Sequence, residues 1–385
     1  MEGNYIERTM AKAIKDAAKY FPVITLTGPR QSGKSTLLRH LFSDAPYFSM
    51  EDVAFREVAL EDPKGFLSQF PESVIIDEVQ RAPDLLSYIQ GIVDEHPDRR
   101  FYLTGSSNFA LLQSVTQSLA GRAAIFELLP LSLEEVAEPL ERFTLDKVLY
   151  RGFYPAIWGG SNIAEYLYPN YVKTYVERDV RNILAIKDLD TFQRFIRLCA
   201  GRIGSIFNAS ELSNELGVAV NTINSWLSVL QASYLIHLLP PFYTNTRKRL
   251  TKSPKLYFTD CGLAAYLLDI DSPATMSRDK MRGHLFENMV VIDWLKKAYN
   301  AGHNGGMYFY RDSNGNEVDL LVKNGSAFDC YEIKSSATFH SDFAKGLNNF
   351  ENAFPDLVKS KNIIYAGSTL PSINGISIQS FRPKI

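Results

Sequence analysis

Hydrophobic and polar positions change period along the chain, and the changes mark out its elements. Residues 23–36, VITLTGPRQSGKST, open with an apolar, β-rich run and pass through two glycines into LLRHLF, where apolar residues recur at a helical period. SVIIDEVQ (73–80) and RFYLTGSSN (100–108) are short apolar runs with polar ends, the pattern of buried strands. From LSLEEVAEPL to FQRFIRLCAG (131–201) the period is mostly helical, and Tyr166, Tyr168, Tyr171 and Tyr175 suit packing better than base stacking. NASELSNELGVAVNTINSWLSVLQ (208–231) reads as two helices: Asn208 or Ser210 can cap the first, and Gly217 allows the sharp turn. YLIHLLPPFYTN and KLYFTD follow as two strands. MRGHLFENMVVIDWLKKA (281–298) is an amphipathic helix with Glu287 inside its apolar face, where a carboxylate costs free energy unless something pairs with it. NEVDLLVKNGSAFDCYEIKSS (316–336) alternates on both sides of Asn324-Gly325 and predicts a hairpin. Glu317 and Asp319 share a face of its first strand, and Glu332 and Lys334 share a face of its second. A helix, FAKGLNNFENAF, and a strand, KNIIYAG, complete the series.

The 385 residues suffice for two or three domains, and 45% hydrophobic with 22% charged residues excludes a disordered chain. The formal net charge of −2 means that any nucleic-acid contact must come from a local basic patch. Cys199, Cys261 and Cys330 lie far apart, which argues against a disulfide framework or a zinc site and suits a reducing cytosol. MEGNYIERTM lacks the pattern of a signal peptide, and no stretch approaches the roughly 20 apolar residues of a membrane span. A cytoplasmic protein with no membrane partner is the expectation.

Gly28-x-x-x-x-Gly33-Lys34-Ser35, between a strand and a helix, has the context of a phosphate-binding loop. The loop residues Gly28, Pro29, Arg30, Gln31, Ser32, Gly33, Lys34, Ser35 and Thr36 would wrap ATP phosphates at the positive end of the helix, with every backbone N–H except that of proline, which has none, available to donate. Lys34 would neutralise β- and γ-oxygens, and the Ser35 hydroxyl would ligate Mg²⁺. Asp77, at a strand tip, can hold the Mg²⁺ shell, and Glu78 can polarise the attacking water. Ser106, Ser107 and Asn108 could sense the γ-phosphate from the next strand. Arg122, in SLAGRAAIFEL, could reach a transition-state phosphate in a neighbouring subunit, implying a homo-oligomer; a surface or paired arginine is the plainer alternative.

Together GPRQSGKST, VIIDEVQRAP, YLTGSSN and LAGRAAIFELLPLS resemble the AAA-type P-loop ATPases of bacteria and archaea whose C-terminal half is a domain of unknown function. YVERDVRNI and KSPKLYFTDCGLAAYLL extend the resemblance over nearly the whole chain. It implies an α/β protein: an additional-strand P-loop AAA-type ATPase core (1–130), a helical lid (131–203), a winged helix-turn-helix (204–262) and a restriction-endonuclease-like α/β domain (263–385).

Within the lid, Glu177, Arg178, Asp179 and Arg181 form a charge run that reads as a solvated face, though one arginine could reach the nucleotide. The second helix of the helix-turn-helix would present Asn221, Thr222, Asn224 and Ser225 to base edges, but it carries no Arg or Lys. Positive charge sits in the wing instead, at Arg247, Lys248, Arg249, Lys252 and Lys255, as phosphate contacts to DNA require. Protein–protein packing by the wing is the alternative. In the tail, Asp319 and Glu332-x-Lys334 resemble the restriction-endonuclease signature, without the usual proline, since Val318 precedes Asp319. Asp319 and Glu332 would ligate Mg²⁺, with Glu287 as an additional ligand, and Lys334 would orient and deprotonate water. The leading expectation is an ATP-hydrolysing switch coupled to DNA binding, with metal-dependent DNA cleavage left as a separate, open question. Its rival is a signalling or scaffold ATPase whose C-terminal half docks partners without cutting. A small-molecule kinase is disfavoured by the glutamate after Asp77.

Overall fold

The strand that leads into the glycine loop is flanked on both sides by parallel neighbours. The computed structural model describes residues 5–105, 115, 118–160, 164–174, 188–242, 253–303 and 305–383. Its first sheet contains β1 (Val23–Thr27), β2 (Tyr47–Ser49), β3 (Ser73–Asp77), β4 (Arg100–Gly105) and β5 (Ala123–Glu127), in the order β2-β3-β4-β1-β5 and parallel throughout. Strand β4 is thus inserted between the loop strand β1 and the aspartate strand β3. All five residues of β1 are buried, as expected of a parallel sheet covered on both faces. Side chains two apart divide between the two covers: Val74, Ile76, Phe101 and Leu103 join one core, and Ile24, Leu26, Ile75 and Tyr102 join the other with Leu37 and Leu38 of the loop helix. The chain divides into two compact units, and this sheet lies in the first, comprising Met1–Leu131, Ala232–Tyr234 and Lys296–Asn304. Ligands of such sheets bind at the carboxyl ends of the strands, where β1, β3 and β4 all terminate.

The second unit holds Ser132–Gln231, Leu235–Leu295 and Gly305–Ile385. Its helices include Leu145–Arg151, Ala164–Tyr171 and Leu189–Ala200. Tyr168 and Tyr171 pack inside, whereas Tyr166 is 70% exposed, a departure from the expected packing that places it on the solvent side of a short helix. Tyr175, Glu177, Arg178, Asp179 and Arg181 lie outside the described residues.

Two helices, Ala209–Leu216 and Val220–Ala232, follow. Asn208 caps the first by accepting from the amides of Ser210 and Glu211, and Gly217 closes it with φ of +69°. Trp226 of the second helix packs its ring against Phe192 and Phe195. Strands β6 (Ile236–Leu239) and β7 (Lys255–Phe258) then pair antiparallel.

A six-stranded sheet completes this unit: β8 (Met307–Arg311), β9 (Glu317–Asn324), β10 (Ala327–Lys334), β11 (Val358–Tyr365), β12 (Leu370–Ile373) and β13 (Ile376–Ser380), ordered β12-β13-β11-β10-β9-β8. β8, β9 and β10 form an antiparallel meander, and helix Lys345–Ala353 crosses over to β11, parallel to β10. The long helix Arg282–Asn300 precedes the sheet in sequence. Asn324 pairs with Ala327, so the hairpin turns on Gly325 and Ser326, one residue later than the alternation suggests, with Gly325 at φ of +69°. The β12–β13 hairpin has no counterpart in the sequence reading; the exposed residues of β12 lack an apolar alternation.

Candidate functional site

Two groups of polar side chains stand out, one in each unit. The first surrounds the glycine loop. Gly28 has φ of +142°, and a Cβ there would collide with the carbonyl of Leu128, so only glycine lets the loop pass this close. Gln31 (φ 61°) and Gly33 (φ 92°) are also left-handed, which turns the loop ahead of helix Lys34–Leu41. Lys34 is buried, and its ammonium donates to the carbonyl oxygens of Gly28 at 3.0 Å and Pro29 at 2.8 Å. Burial pulls its pKa down to about 8, against the favourable charges of Glu78 and Asp77. The Ser32 hydroxyl is buried without a hydrogen-bond partner, an unused group inside the loop. Arg8, also buried, donates to Ser32 O and Leu129 O at 2.7 Å each and so pins the loop from beneath.

Asp77 at the tip of β3 is 8% exposed and receives three hydroxyls. Ser35 Oγ donates to Oδ1 at 2.9 Å, Thr104 Oγ1 donates to the same oxygen, and Tyr47 Oη donates to Oδ2 at 2.6 Å. The parallel register produces this convergence: Ser49 is paired with Asp77 and Ile76 with Leu103, which brings Tyr47 and Thr104 alongside. Glu78 follows at φ 52°, ψ 44°, a left-handed conformation that costs a non-glycine residue free energy and marks functional sites. Its side chain accepts from Gln80 Nε2. An orphaned loop hydroxyl, a glycine cradle and a hydroxyl–carboxylate pair at Ser35 and Asp77 suit a triphosphate with a hard divalent cation.

Of the other residues expected here, Thr36 is exposed on the loop helix, and Asn108, Ser106 and Ser107 lie outside the described residues. Arg122 is salt-bridged to Asp94, with Nε 2.5 Å from Oδ1 and Nη2 2.8 Å from Oδ2. Sequence reasoning missed Arg8, Tyr47 and Thr104. Thr104 stands two residues before Ser106, the first of the hydroxyls singled out in the sequence, and nothing local marked Tyr47.

The second group lies on the six-stranded sheet and the elements packed around it. Tyr331 opposite Leu320 brings Glu332 abreast of Asp319. Lys334 Nζ is 2.5 Å from Glu332 Oε1 and 3.7 Å from Asp319 Oδ2, and the Ile333 amide donates to Asp319 Oδ2 at 2.8 Å. Burial, followed by repulsion from Asp319, pushes the Glu332 carboxyl up to about 8 although Lys334 pulls it the other way. Its Oε2 is buried without a hydrogen-bond partner. Glu287 does sit close by, but its Oε1 accepts from Lys255 at 3.0 Å and from Tyr257 Oη at 2.6 Å.

Lys255 corrects the expectation of a solvent-facing wing lysine. It is 2% exposed and also lies 2.5 Å from Glu317 Oε1, so it cannot meet a DNA phosphate where it stands. The buried partner that Glu287 required is this lysine. Burial opposes its charge, but Tyr257, Glu287, Asp319 and Glu317 together hold its pKa well above the ordinary lysine value. Among the described residues, no three or more His, Cys, Asp or Glu side chains are arranged to hold a metal ion. As arranged here, the expected ligands Glu287, Asp319 and Glu332 therefore do not fit a metal. Asn221, Asn224 and Ser225 are exposed at the start of their helix with Thr222 half-buried beside them, while Arg247, Lys248, Arg249 and Lys252 lie outside the described residues.

Asp260, in the stretch KLYFTDCGLAAYLL, has structural surroundings. It is 1% exposed and accepts from Tyr168 Oη at 2.8 Å, the Leu263 amide at 2.9 Å and the Phe153 amide at 2.6 Å, capping helix Cys261–Leu267 and fixing the chain at Gly152.

Comparison with known proteins agrees with the first of these sites. A family model described as an AAA domain matches residues 20–137, and two domains of unknown function, DUF8612 and DUF4143, match 142–274 and 282–381. The uncharacterised protein Rv2008c of Mycobacterium tuberculosis is 31% identical over 338 residues, covering 86% of this chain and 75% of the relative. The uncharacterised protein MJ1544 of Methanocaldococcus jannaschii is 26% identical over 368 residues, covering 86% and 78%. Among solved structures, the Walker-type ATPase PABY2304 of Pyrococcus abyssi is similar with a TM-score of 0.48 at 15% identity, covering 69% of this chain and 97% of that one. A Signal Transduction ATPase with Numerous Domains, PH0952 of Pyrococcus horikoshii, is similar with a TM-score of 0.29 at 11% identity, covering 80% and 49%. No helix among the described residues is long and apolar enough to cross a membrane.

Proposed function

Because this chain belongs to the family of the uncharacterised protein Rv2008c of Mycobacterium tuberculosis, and an AAA domain matched over residues 20–137 gives its first unit a P-loop ATPase site, we propose that it is an ATP-hydrolysing switch whose nucleotide state governs engagement of DNA by its C-terminal half. The hydroxyl-caged Asp77 beside left-handed Glu78, at the rim of the glycine loop, carries the hydrolytic part of this reading. Loop amides from Gly28 to Thr36 would cradle the phosphates, and Lys34 would exchange the carbonyls of Gly28 and Pro29 for β- and γ-oxygens. Ser35 and Asp77 would hold magnesium, which supplies charge neutralisation at the phosphate oxygens when bound with ATP. Glu78 would take the proton of the attacking water. Arg122, released from Asp94, would complete the site of a neighbouring copy in a homo-oligomer, and Asn108 would read the γ-phosphate. A Glu78→Gln protein that retains bound ATP and hydrolyses it slowly is the expected result; failure of ATP to accumulate would remove Glu78 from this role.

The coupling to DNA draws support from a locally basic segment, Arg247, Lys248, Arg249 and Lys252, in a chain of net charge −2. Stimulation of ATP hydrolysis by duplex DNA, with a salt slope that falls when these residues become alanine, is the result expected. For the tail a second reading has its own observation. Lysine ammonium groups already lie within 4 Å of Glu287, Glu317, Asp319 and Glu332. That arrangement favours docking without cleavage. Mn²⁺-dependent nicking of plasmid by the native chain, lost in Asp319→Ala and Lys334→Ala, would instead establish cutting; equal nicking by all three would mean contamination.

A further inference from the structure

The carboxylates of the second unit are supplied with cations by the chain itself, and the two lysines do so differently. Lys334 belongs to the same hairpin as Glu332 and Asp319, and its side chain is 34% exposed. Lys255 comes from β7, outside the six-stranded sheet, and is sealed in at 2% exposure with its ammonium 5.5 Å from the centre of the Phe309 ring. It lies between Glu287 of the long helix and Glu317 of β9, at 3.0 and 2.5 Å. Tyr257, two residues further along β7 and therefore on the same face, donates to the Glu287 oxygen that Lys255 also contacts. Two carboxylates carry two negative charges and the ammonium only one positive, so this pair is left undercompensated. Arg311, at 3.4 Å from Glu317 Oε2 and itself 43% exposed, compensates it only in part. A divalent cation would match the pair in charge, and carboxylate oxygens are the ligands that hard divalent ions prefer. An orphan acceptor on the same sheet, the buried Oε2 of Glu332, is a second sign that the cluster has more acceptor capacity than the protein fills.

We propose that Lys255 is the residue that sets cation specificity in this cluster, its ammonium standing between Glu287 and Glu317 in place of a divalent metal ion. The inference rests on the reading of Asp319, Glu332 and Lys334 as a nuclease-like centre, and it concerns what that centre can bind rather than whether it cuts. The lysine has an advantage over a free ion, because it is covalently tethered and needs no metal to be stripped of its water. The native chain therefore keeps divalent metal out of the Glu287–Glu317 pair at millimolar concentration.

The test compares Mn²⁺ binding by the full chain and by Lys255→Met, which keeps length and apolar stem while removing the charge. Calorimetric titration should show at least about tenfold tighter Mn²⁺ binding, or one additional bound ion, in Lys255→Met, since metal affinity follows the charge of the ligand set. The nucleotide loop is common to both proteins and cancels in the comparison. Adding Glu287→Gln to Lys255→Met should abolish the gain. Should Lys255→Met prove too unstable to titrate, its melting temperature provides the readout: Mn²⁺ should raise it over EDTA by more than it raises that of the native chain. Equal Mn²⁺ binding by native chain and variant, or a destabilised variant that Mn²⁺ does not restore, would overturn the proposal. Plasmid nicking is scored separately. A variant that gains metal without cutting upholds this inference and removes the nuclease; a native chain that cuts while the variant gains no metal does the reverse.

Discussion

Tyr47→Phe isolates one of the three hydroxyls that hold Asp77. The phenylalanine keeps the ring, and with it the position beneath the Arg39 guanidinium, 4.9 Å from the ring centroid, so only the 2.6 Å hydrogen bond to Oδ2 is deleted. A hydrogen bond to a charged acceptor contributes about 1.5–3 kcal/mol. Tyr47 is only half-buried, and water can replace part of the lost bond, which places the expected effect near the lower end, about 1.5 kcal/mol. If the hydroxyl orients the carboxylate that holds magnesium, that energy is spent in the transition state, and kcat falls roughly tenfold. ATP affinity, governed by the loop amides and Lys34, stays near the native value, while the magnesium concentration for half-maximal turnover rises. Steady-state ATP hydrolysis across a magnesium series, with nucleotide affinity measured separately by calorimetry, separates the two. A variant with native kcat and native magnesium dependence would refute the assignment, because the third hydroxyl would then be ornamental to hydrolysis.

Three further outcomes follow from the geometry. Lys34→Ala should abolish Mg·ATP uptake in calorimetry, because the loop would lose its buried cation; an unchanged titration would remove the site. Asp260→Ala should lower unfolding free energy by about 3 kcal/mol or more in urea titration, since two amides and a tyrosine hydroxyl lose their buried acceptor at once. Glu127 governs a pH dependence: burial raises its carboxyl pKa, and hydrogen bonds from Tyr299 and Tyr234 offset this only in part. A folded pKa above the unfolded one means that the contribution is fully present below the ordinary carboxylate range and is lost as pH rises through the folded value. Glu127→Gln should therefore flatten the melting-temperature profile on the alkaline side of that range, and an unaltered profile would exclude Glu127 as its source.

The sites differ in how far they could be read from local sequence. In the glycine loop, strand, turn and helix are contiguous, so Gly28, Gly33, Lys34 and Ser35 declare their chemistry by spacing alone, and Asp77-Glu78 does so at the end of an apolar run. Tyr47 and Thr104 escape such reading because they reach Asp77 through the pairing of β2, β3 and β4, contacts across 30 and 27 positions of chain. Lys255 shows the opposite error. Within TRKRLTKSPK it belongs to a run of basic residues and reads as one more solvated charge, yet pairing of β7 with β6 turns it inward toward Glu287 and Glu317.

Local sequence by itself determined the phosphate loop, the alternation of β9 and β10, the capped helices from Asn208 to Ala232 and the need for a partner at Glu287. These depend on backbone geometry and on the periods at which side chains recur, properties of contiguous residues. Tertiary structure alone decided which cation answers Glu287, which hydroxyls restrain Asp77, and that Asp260 fastens Phe153, Tyr168 and Leu263 together. Charges and hydrogen-bond donors interact over a few ångströms regardless of their separation along the chain, so their pairing exists only once the strands have found their register.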